Sequence, residues 1–151
     1  MKMLTIIVIV LMLGGIGAWI NSANYVSQIS KAYPADGTLV PVNGADVHVL
    51  RSGDAGPVVV MVHGASANAL EYSWTLAPKL SNTHRVLMVD RPGHGYSERL
   101  DEAETLKVQA EQVAGALRAL APGEKAVIVG HSFGGAVSLR LALDHPELVE
   151  G

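Results

Sequence analysis

The apolar positions of the chain form one long N-terminal run, followed by short runs that alternate with polar turns. Residues 58–62, 86–89 and 126–129 are continuous apolar stretches, which are typical of strands buried on both faces of a parallel sheet. Between them, apolar residues recur at steps of three and four, which predicts amphipathic helices. Because strands alternate with helices, the pattern predicts an α/β domain with a mostly parallel sheet and flanking helices.

A β-hairpin is predicted at the start of this domain. Residues 38–42 and 46–51 are two β-prone runs that flank Asn43-Gly44. An Asn-Gly pair between such runs is the strongest short-range hairpin signal, because both residues tolerate the positive φ angles of a tight turn. We therefore expect an antiparallel pair before the first buried strand.

Helices are predicted over residues 69–80 and 103–121. Pro78 should kink or shorten the first of them. The second has apolar residues at positions 103, 106, 110, 113, 117 and 120, which places them on one face of a helix. The residues of the first helix that we expect to face the core are Leu70, Trp74, Leu76, Ala77 and Leu80.

The N-terminal run predicts a membrane anchor. Residues 4–20 carry no charge, and as a helix they would be ~25 Å long, the short end of a membrane span. Trp19 and Tyr25 suit the headgroup zone, and the few positive charges weakly favour an inside N-terminus with the domain on the exported (periplasmic or extracellular) side. A cleaved secretory signal is the main alternative, although no good small-residue cleavage site follows. A helix buried inside a soluble protein is the third interpretation.

Composition bounds the remaining possibilities. The chain has 151 residues, 49% of them hydrophobic, and a net charge of −3. We expect an anchor at 1–26, a linker at 27–37 and one domain at 38–151. Nothing basic suggests a nucleic-acid partner, and the absence of cysteine excludes a disulfide framework or a thiolate metal site. No residue spacing implies a metal or an organic cofactor, and the sequence does not determine the oligomeric state.

Residues 130–135 carry the strongest chemical signal. They read Gly-His-Ser-Phe-Gly-Gly between a predicted strand and a predicted helix, which is the setting of a nucleophile elbow. Such a turn strains Ser132 and raises its Oγ above the sheet edge, and Gly130 and Gly134 let strand and helix backbones pass closely. Gly-x-Ser-x-Gly alone arises by chance in roughly one such chain in ten. The flanking elements favour the elbow over an incidental serine.

Two more motifs follow predicted strands. His63-Gly64 follows strand 58–62, and residues 90–97 (Asp-Arg-Pro-Gly-His-Gly-Tyr-Ser) follow strand 85–89. Together with residues 130–135, in this order, they resemble the α/β-hydrolase superfamily, most closely its esterase and lipase members. The resemblance covers about residues 38–151 and is specific for the fold, but it does not specify a substrate.

The resemblance implies a role for each motif. Ser132 matches the nucleophile, and the backbone N–H groups of Phe133 and Ala65 match the oxyanion hole. His63 and Gly64 form the oxyanion loop, with His63 expected to hold the loop rather than to act as a base. His131 and the elbow glycines complete the turn. A serine at the elbow, where epoxide hydrolases and haloalkane dehalogenases carry a carboxylate, argues against those two classes.

The general base is not found in the sequence after the elbow. The superfamily order is Ser, then Asp or Glu, then His, but the sole later histidine is His145, ~20 Å from Ser132 along a helix. His131, adjacent in the turn, should point to the wrong side. We therefore expect the triad Asp and His beyond residue 151, so that the chain resembles the N-terminal half of a hydrolase, cut after the elbow helix. Residues 148–151 look like the approach to a further strand.

The function predicted is a membrane-anchored serine hydrolase that cleaves an ester or related acyl bond of a small molecule. Thioesterases, carbon–carbon bond hydrolases and cofactor-free perhydrolases share the same motifs. The alternative, from a different class, is a non-catalytic remnant or a membrane-tethered interaction module. Because no base reaches Ser132, residues 1–151 alone are expected to be inactive and poorly folded.

Overall fold

The computed structural model describes residues 2–151 as two compact units, divided between Ala35 and Asp36. The first contains helix α1, Lys2–Ala32. Within it, Met3–Ala32 is long and apolar enough to cross a membrane, as judged by length and composition. The side chains of residues 3–32 are exposed.

The second unit is an α/β domain built on a five-stranded mixed sheet. Strands β4, β3 and β5 are parallel neighbours, whereas β2 pairs antiparallel with both β1 and β4. The order across the sheet is β1-β2-β4-β3-β5, so the N-terminal hairpin adds an antiparallel edge to a parallel sheet. The strands are β1 (Thr38–Val42), β2 (Ala45–Ser52), β3 (Val58–Val62), β4 (Arg85–Val89) and β5 (Ala126–Gly130).

The predicted hairpin is confirmed. Val42 pairs with Ala45 across the two-residue turn, in which Asn43 and Gly44 have φ angles of 50° and 87°. Two consecutive positive φ angles match the right-handed twist of the flanking strands. The turn chemistry therefore sets the register of this edge of the sheet.

Helices cover both faces of the sheet. Alternate residues of β3 point to opposite sides: Val60 lies in the core beneath α4 and α5, and Met61 lies in the core beneath α2 and α3. Strand β3 is therefore buried on both faces, as its unbroken apolar sequence predicts. The helices are α2 (Leu70–Ser73), α3 (Ala77–Leu80), α4 (Leu106–Leu120) and α5 (Phe133–Asp144).

The start of α4 differs from the prediction by a few residues. Thr105 is the N-cap, and its side chain accepts a hydrogen bond from the N–H of Val108. This cap starts the helix at Leu106 and leaves Ala103 in the preceding turn, where it is nonetheless buried. The predicted apolar face is otherwise the face that packs on the sheet.

The prediction of a single helix over residues 69–80 is wrong. The structure has two one-turn helices there, and two predicted core residues, Leu70 and Trp74, are 42% and 80% exposed. Pro78 lies in the first turn of α3, where its missing N–H costs nothing, so the chain restarts a helix instead of continuing one. Tyr72 takes the core position because its hydroxyl donates a hydrogen bond to the Val62 carbonyl.

The last residues of the chain lie beside β5. A 3₁₀ helix, Pro146–Leu148, follows α5, and Val149 then forms a parallel bridge with Ala126. The N–H of Ile128 donates to the carbonyl of Gly151. Residues 149–151 therefore pair with β5 along the edge that β3 leaves free.

Candidate active site

Ser132 has the backbone geometry of a strained elbow. Its φ and ψ angles are 51° and −119°, and it is one of three non-glycine residues with positive φ among residues 2–151. A side chain in this region costs about 1–3 kcal/mol and persists only where the surroundings hold it. The residue lies between the carboxyl end of β5 and the first turn of α5, and its side chain is exposed.

Two glycines of the elbow hold it against the sheet. A Cβ atom on Gly134 would lie 2.0 Å from the carbonyl oxygen of Val62, and one on Gly130 would lie 2.6 Å from the carbonyl oxygen of Gly134. Both distances are far below contact distance, so backbone packs directly on backbone here. The N–H of His131 also donates to the Val62 carbonyl, at 3.0 Å, which ties the elbow to the end of β3.

The loop that begins with His63 and Gly64 lies beside the elbow because β3 and β5 are parallel neighbours. A Cβ atom on Gly64 would lie 3.4 Å from the Cβ of Ser132. Within residues 2–151, the backbone N–H groups of Ala65 and Phe133 donate no hydrogen bond. Both residues line an open cavity of about 330 Å³. The structure thus brings an exposed hydroxyl and two unengaged N–H donors to one end of the sheet.

His63 is fully buried, and both of its ring nitrogens are engaged. Nε2 accepts the backbone N–H of Arg91 at 3.0 Å, so the ring proton is on Nδ1, which donates to the Gly64 carbonyl at 2.8 Å. Burial is the main cause that lowers the pKa of His63; the Gly64 hydrogen bond opposes it, and the Arg91 charge adds to it. A neutral ring with no free lone pair cannot be the base for Ser132; its contacts hold the loop.

The loop after β4 is held by Asp90 and His94. Asp90 Oδ1 accepts the N–H of Ala69 at 2.6 Å, and Oδ2 accepts the N–H of Tyr96 at 3.1 Å. His94 Nε2 lies 3.1 Å from the carbonyl oxygen of Ala65, and its Nδ1 lies 3.1 Å from the carbonyl oxygen of Pro92. These contacts fix the turn.

Sequence reasoning missed the partner of Asp90. His48, on β2, donates from Nδ1 to Asp90 Oδ2 at 2.7 Å and from Nε2 to the carbonyl of Asp36 at 2.9 Å. Because both partners are acceptors, both ring nitrogens carry protons and the imidazole is charged. The Asp90 hydrogen bond raises the pKa of His48 against the opposing effect of burial. Burial acts to raise the pKa of Asp90, but its hydrogen bonds outweigh this and lower it.

This buried pair predicts a pH-dependent stability. The pKa of His48 is raised above 6.5, so its contribution is complete below about pH 6.5 and is lost as the pH rises through the folded-state pKa. The pKa of Asp90 is lowered from 3.8, so its contribution is lost only in more acidic solution. We expect the difference in melting temperature between the protein and His48→Gln to be largest near pH 5–6 and to shrink by a few degrees toward pH 9. A difference that is constant over this range would contradict a charged pair.

His131, in the elbow, and His145, after it, direct their side chains to residues other than Ser132. His131 Nδ1 is 2.7 Å from Glu71 Oε1 on α2, so its ring is drawn toward that helix. His145, at the far end of α5, is 3.1 Å from an Arg118 nitrogen. Residues 2–151 contain no cluster of three or more His, Asp or Glu side chains suited to a metal ion.

Comparison with known proteins identifies the family. The family model of the alpha/beta hydrolase fold matches residues 57–151, so the chain belongs to the α/β-hydrolase fold family. A 2-hydroxymuconate semialdehyde hydrolase of a Pseudomonas strain is 39% identical over 103 residues, covering 66% of this chain and 36% of that protein. An esterase of Mycobacterium tuberculosis is 39% identical over 110 residues, covering 72% of this chain and 35% of that protein.

Solved structures agree with the fold. An epoxide hydrolase from Vigna radiata superposes with a TM-score of 0.70 at 26% identity, covering 77% of this chain and 38% of that one. An esterase from Exiguobacterium antarcticum gives a TM-score of 0.65 at 26% identity, covering 73% of this chain and 41% of that one. The chain spans little more than a third of the length of the curated relatives described above.

Proposed function

We propose that this protein is a serine hydrolase that cleaves an ester or related acyl bond of a small molecule. The observation that carries the proposal is the meeting of three groups at the carboxyl ends of β3 and β5: the exposed, strained Ser132 and the unengaged N–H groups of Ala65 and Phe133. A nucleophile beside two preorganised donors is the arrangement that acyl transfer requires.

In the proposed reaction, Ser132 Oγ attacks the acyl carbon and its proton passes to a general base. The carbonyl oxygen becomes an oxyanion that accepts hydrogen bonds from the N–H groups of Ala65 and Phe133. Collapse breaks the bond to the leaving group, which takes the proton, and water then hydrolyses the acyl-enzyme by the same steps. His63 is excluded as the base by its own hydrogen bonds. The proposal assigns the base and its acid partner to the triad His and Asp expected beyond residue 151.

A hydroxyl at the elbow supports acyl transfer rather than epoxide opening. The similarity to an epoxide hydrolase structure concerns the scaffold, whereas the reaction depends on the group at position 132. A carboxylate there would form an ester intermediate by opening the epoxide ring. A serine forms a tetrahedral intermediate on a carbonyl carbon.

The test is to label the natural protein covalently with a fluorophosphonate. We expect one equivalent to be incorporated and the adduct to map to the peptide that contains Ser132. Turnover of p-nitrophenyl esters of increasing acyl length would then define the acyl group. A folded protein that neither labels nor turns over these esters would instead support the non-catalytic, membrane-tethered module.

We further propose that α1 anchors the protein in a membrane, with the domain on the exported side. Val10→Arg would place a charge near the middle of residues 4–20, which costs about 2.5–3.5 kcal/mol in insertion. We expect this variant to be partly released by carbonate extraction, whereas the unaltered protein stays in the membrane fraction. Asn24→Arg, which adds the same charge outside the apolar run, is the matched control and should be retained. A soluble protein whose N-terminus lies near Ala23 would show a cleaved signal instead.

A further inference from the structure

Arg91 is a buried cation that contacts both halves of the candidate oxyanion hole. Its side chain is 2% exposed. Nε donates to the carbonyl of His63 at 3.0 Å, and Nη2 donates to the carbonyl of Gly64 at 2.8 Å. The guanidinium carbon also lies over the ring of Phe133, 4.9 Å from its centroid. One side chain therefore touches the loop after β3 and the first residue of α5.

Within residues 2–151, Arg91 has no carboxylate partner. Its other polar contacts are also with neutral groups: Nη1 donates to the amide oxygen of Gln109 at 2.7 Å, and Nη2 lies 3.4 Å from Nε2 of His94. The adjacent Asp90 is engaged with His48 and two backbone N–H groups. A buried charge that meets only neutral acceptors carries a large uncompensated desolvation cost, and burial accordingly lowers the pKa of Arg91. Neutral donors could hold the carbonyl groups of His63 and Gly64 equally well. The positive charge of Arg91 therefore needs an explanation of its own.

The geometry of one peptide unit supplies that explanation. The Gly64–Ala65 peptide joins the clamped carbonyl to one of the two candidate oxyanion donors. Because this peptide is trans, the N–H of Ala65 points opposite to the carbonyl of Gly64. Glycine at position 64 makes rotation of this peptide plane easy. Hydrogen bonds from Arg91 Nη2 and His63 Nδ1 to the carbonyl hold the plane in one orientation.

We infer that Arg91 is a positioning residue of the oxyanion hole, which fixes the Gly64–Ala65 peptide plane and places a positive charge behind both N–H donors. A charged donor on the Gly64 carbonyl polarises that peptide and makes the N–H of Ala65 a stronger donor. The positive charge also stabilises negative charge that develops on the substrate oxygen at low local dielectric. This inference rests on the proposed function of Ser132 as a nucleophile.

The test compares Arg91→Met and Arg91→Lys with Arg118→Met in the natural protein. Arg118, on α4, forms a surface ion pair with Glu147, which follows the C-terminal end of α5, so its replacement is the control. Exhaustive fluorophosphonate labelling counts intact sites, and ester turnover is expressed per labelled site. A boronic acid, which forms a tetrahedral adduct with a serine hydroxyl, reports affinity for the oxyanion geometry.

We expect Arg91→Met to lower kcat per labelled site about 100-fold, with KM changed less than about threefold, since the loss resembles that of one oxyanion donor. Boronic acid affinity should fall by a similar factor. Arg91→Lys keeps the charge but loses the two-point clamp, so it should recover part of this loss and remain about tenfold below the original enzyme. Arg118→Met should be unchanged within about twofold.

Three outcomes separate the possibilities. If Arg91 only supports the fold, its variants lose labelled sites and thermal stability while kcat per labelled site stays constant, and this overturns the inference. If Arg91→Met does not fold, Arg91→Lys decides, because unchanged turnover and boronic acid affinity per site overturn the inference equally. If the unaltered protein folds but does not label at Ser132, the proposed function fails and the inference fails with it.

Discussion

Replacing Ser132 with alanine in the natural protein is expected to lower kcat for ester hydrolysis by about 10⁶-fold and to abolish fluorophosphonate labelling. The hydroxyl is the sole nucleophile in the proposed reaction, and removing the nucleophile of such a site alone costs nearly as much as removing the whole triad. The remaining rate would come from the oxyanion donors and from substrate binding. End-point assays that run for hours with purified protein are sensitive enough to measure this residual rate.

The fold should be nearly unaffected by this substitution. Alanine keeps the Cβ atom, and the serine side chain caps no N–H of α5, so we expect melting temperatures within a few degrees of each other. Ser81→Ala is the matched control, because that hydroxyl follows α3 and donates to the carbonyl of Pro78, and the Ser81 backbone lies against the turn after β2. Retained labelling or turnover in Ser132→Ala would show that another residue is the nucleophile.

The parts of the fold that local sequence encodes were predictable. An Asn-Gly pair requires its own backbone geometry, and the φ angles of Asn43 and Gly44 follow from it. The unbroken apolar sequence of β3 is a direct consequence of burial on both faces. The elbow has a local signature because only glycine fits where β5 and α5 touch. Each of these features leaves its signature within a few consecutive residues of the chain.

The errors arose where a distant contact decides the structure. Hydrophobicity favours Trp74 as a core residue, but the hydrogen bond from Tyr72 to the carbonyl of Val62 orients the segment and leaves Trp74 exposed. His48 lies between apolar residues in sequence, and nothing local shows that its partner is Asp90, 42 positions away. Periodicity gives the face of an element, whereas polar pairing across elements depends on the assembled sheet.

In the candidate site, too, local motifs were predictable from the sequence and contacts between distant residues were not. Motif spacing locates Ser132, Ala65 and Phe133, because parallel strands end at the same edge of a sheet. The sequence also places Arg91 in the turn after β4. It does not show that the side chain reaches 28 positions back to the carbonyl of His63. Positioning residues of this kind are visible only once the loops are assembled.

Gly134→Ala is expected to have the largest effect on stability among single methyl additions near the elbow. The new Cβ would lie 2.0 Å from the carbonyl oxygen of Val62. That atom belongs to the backbone at the end of β3, so no flexible side chain can move aside. Either α5 or the end of β3 must shift. We expect a loss of at least about 4 kcal/mol, the range of exceptional core disruptions, which would consume much of the stability of an ordinary domain. Thermal melting of the detergent-solubilised protein and the fraction labelled at Ser132 measure it.

Gly135→Ala is the matched control, one residue further along the same helix. A Cβ atom there would meet its nearest neighbour, the carbonyl oxygen of Gly130, at 3.6 Å, which is ordinary contact. Because alanine has the higher helix propensity by about 1 kcal/mol, this variant should melt at the same temperature as the original protein or slightly higher. Propensity alone predicts the same gain at both positions, so only the close approach of α5 to β3 separates them. Equal melting temperatures for the two variants would contradict direct backbone packing at the elbow.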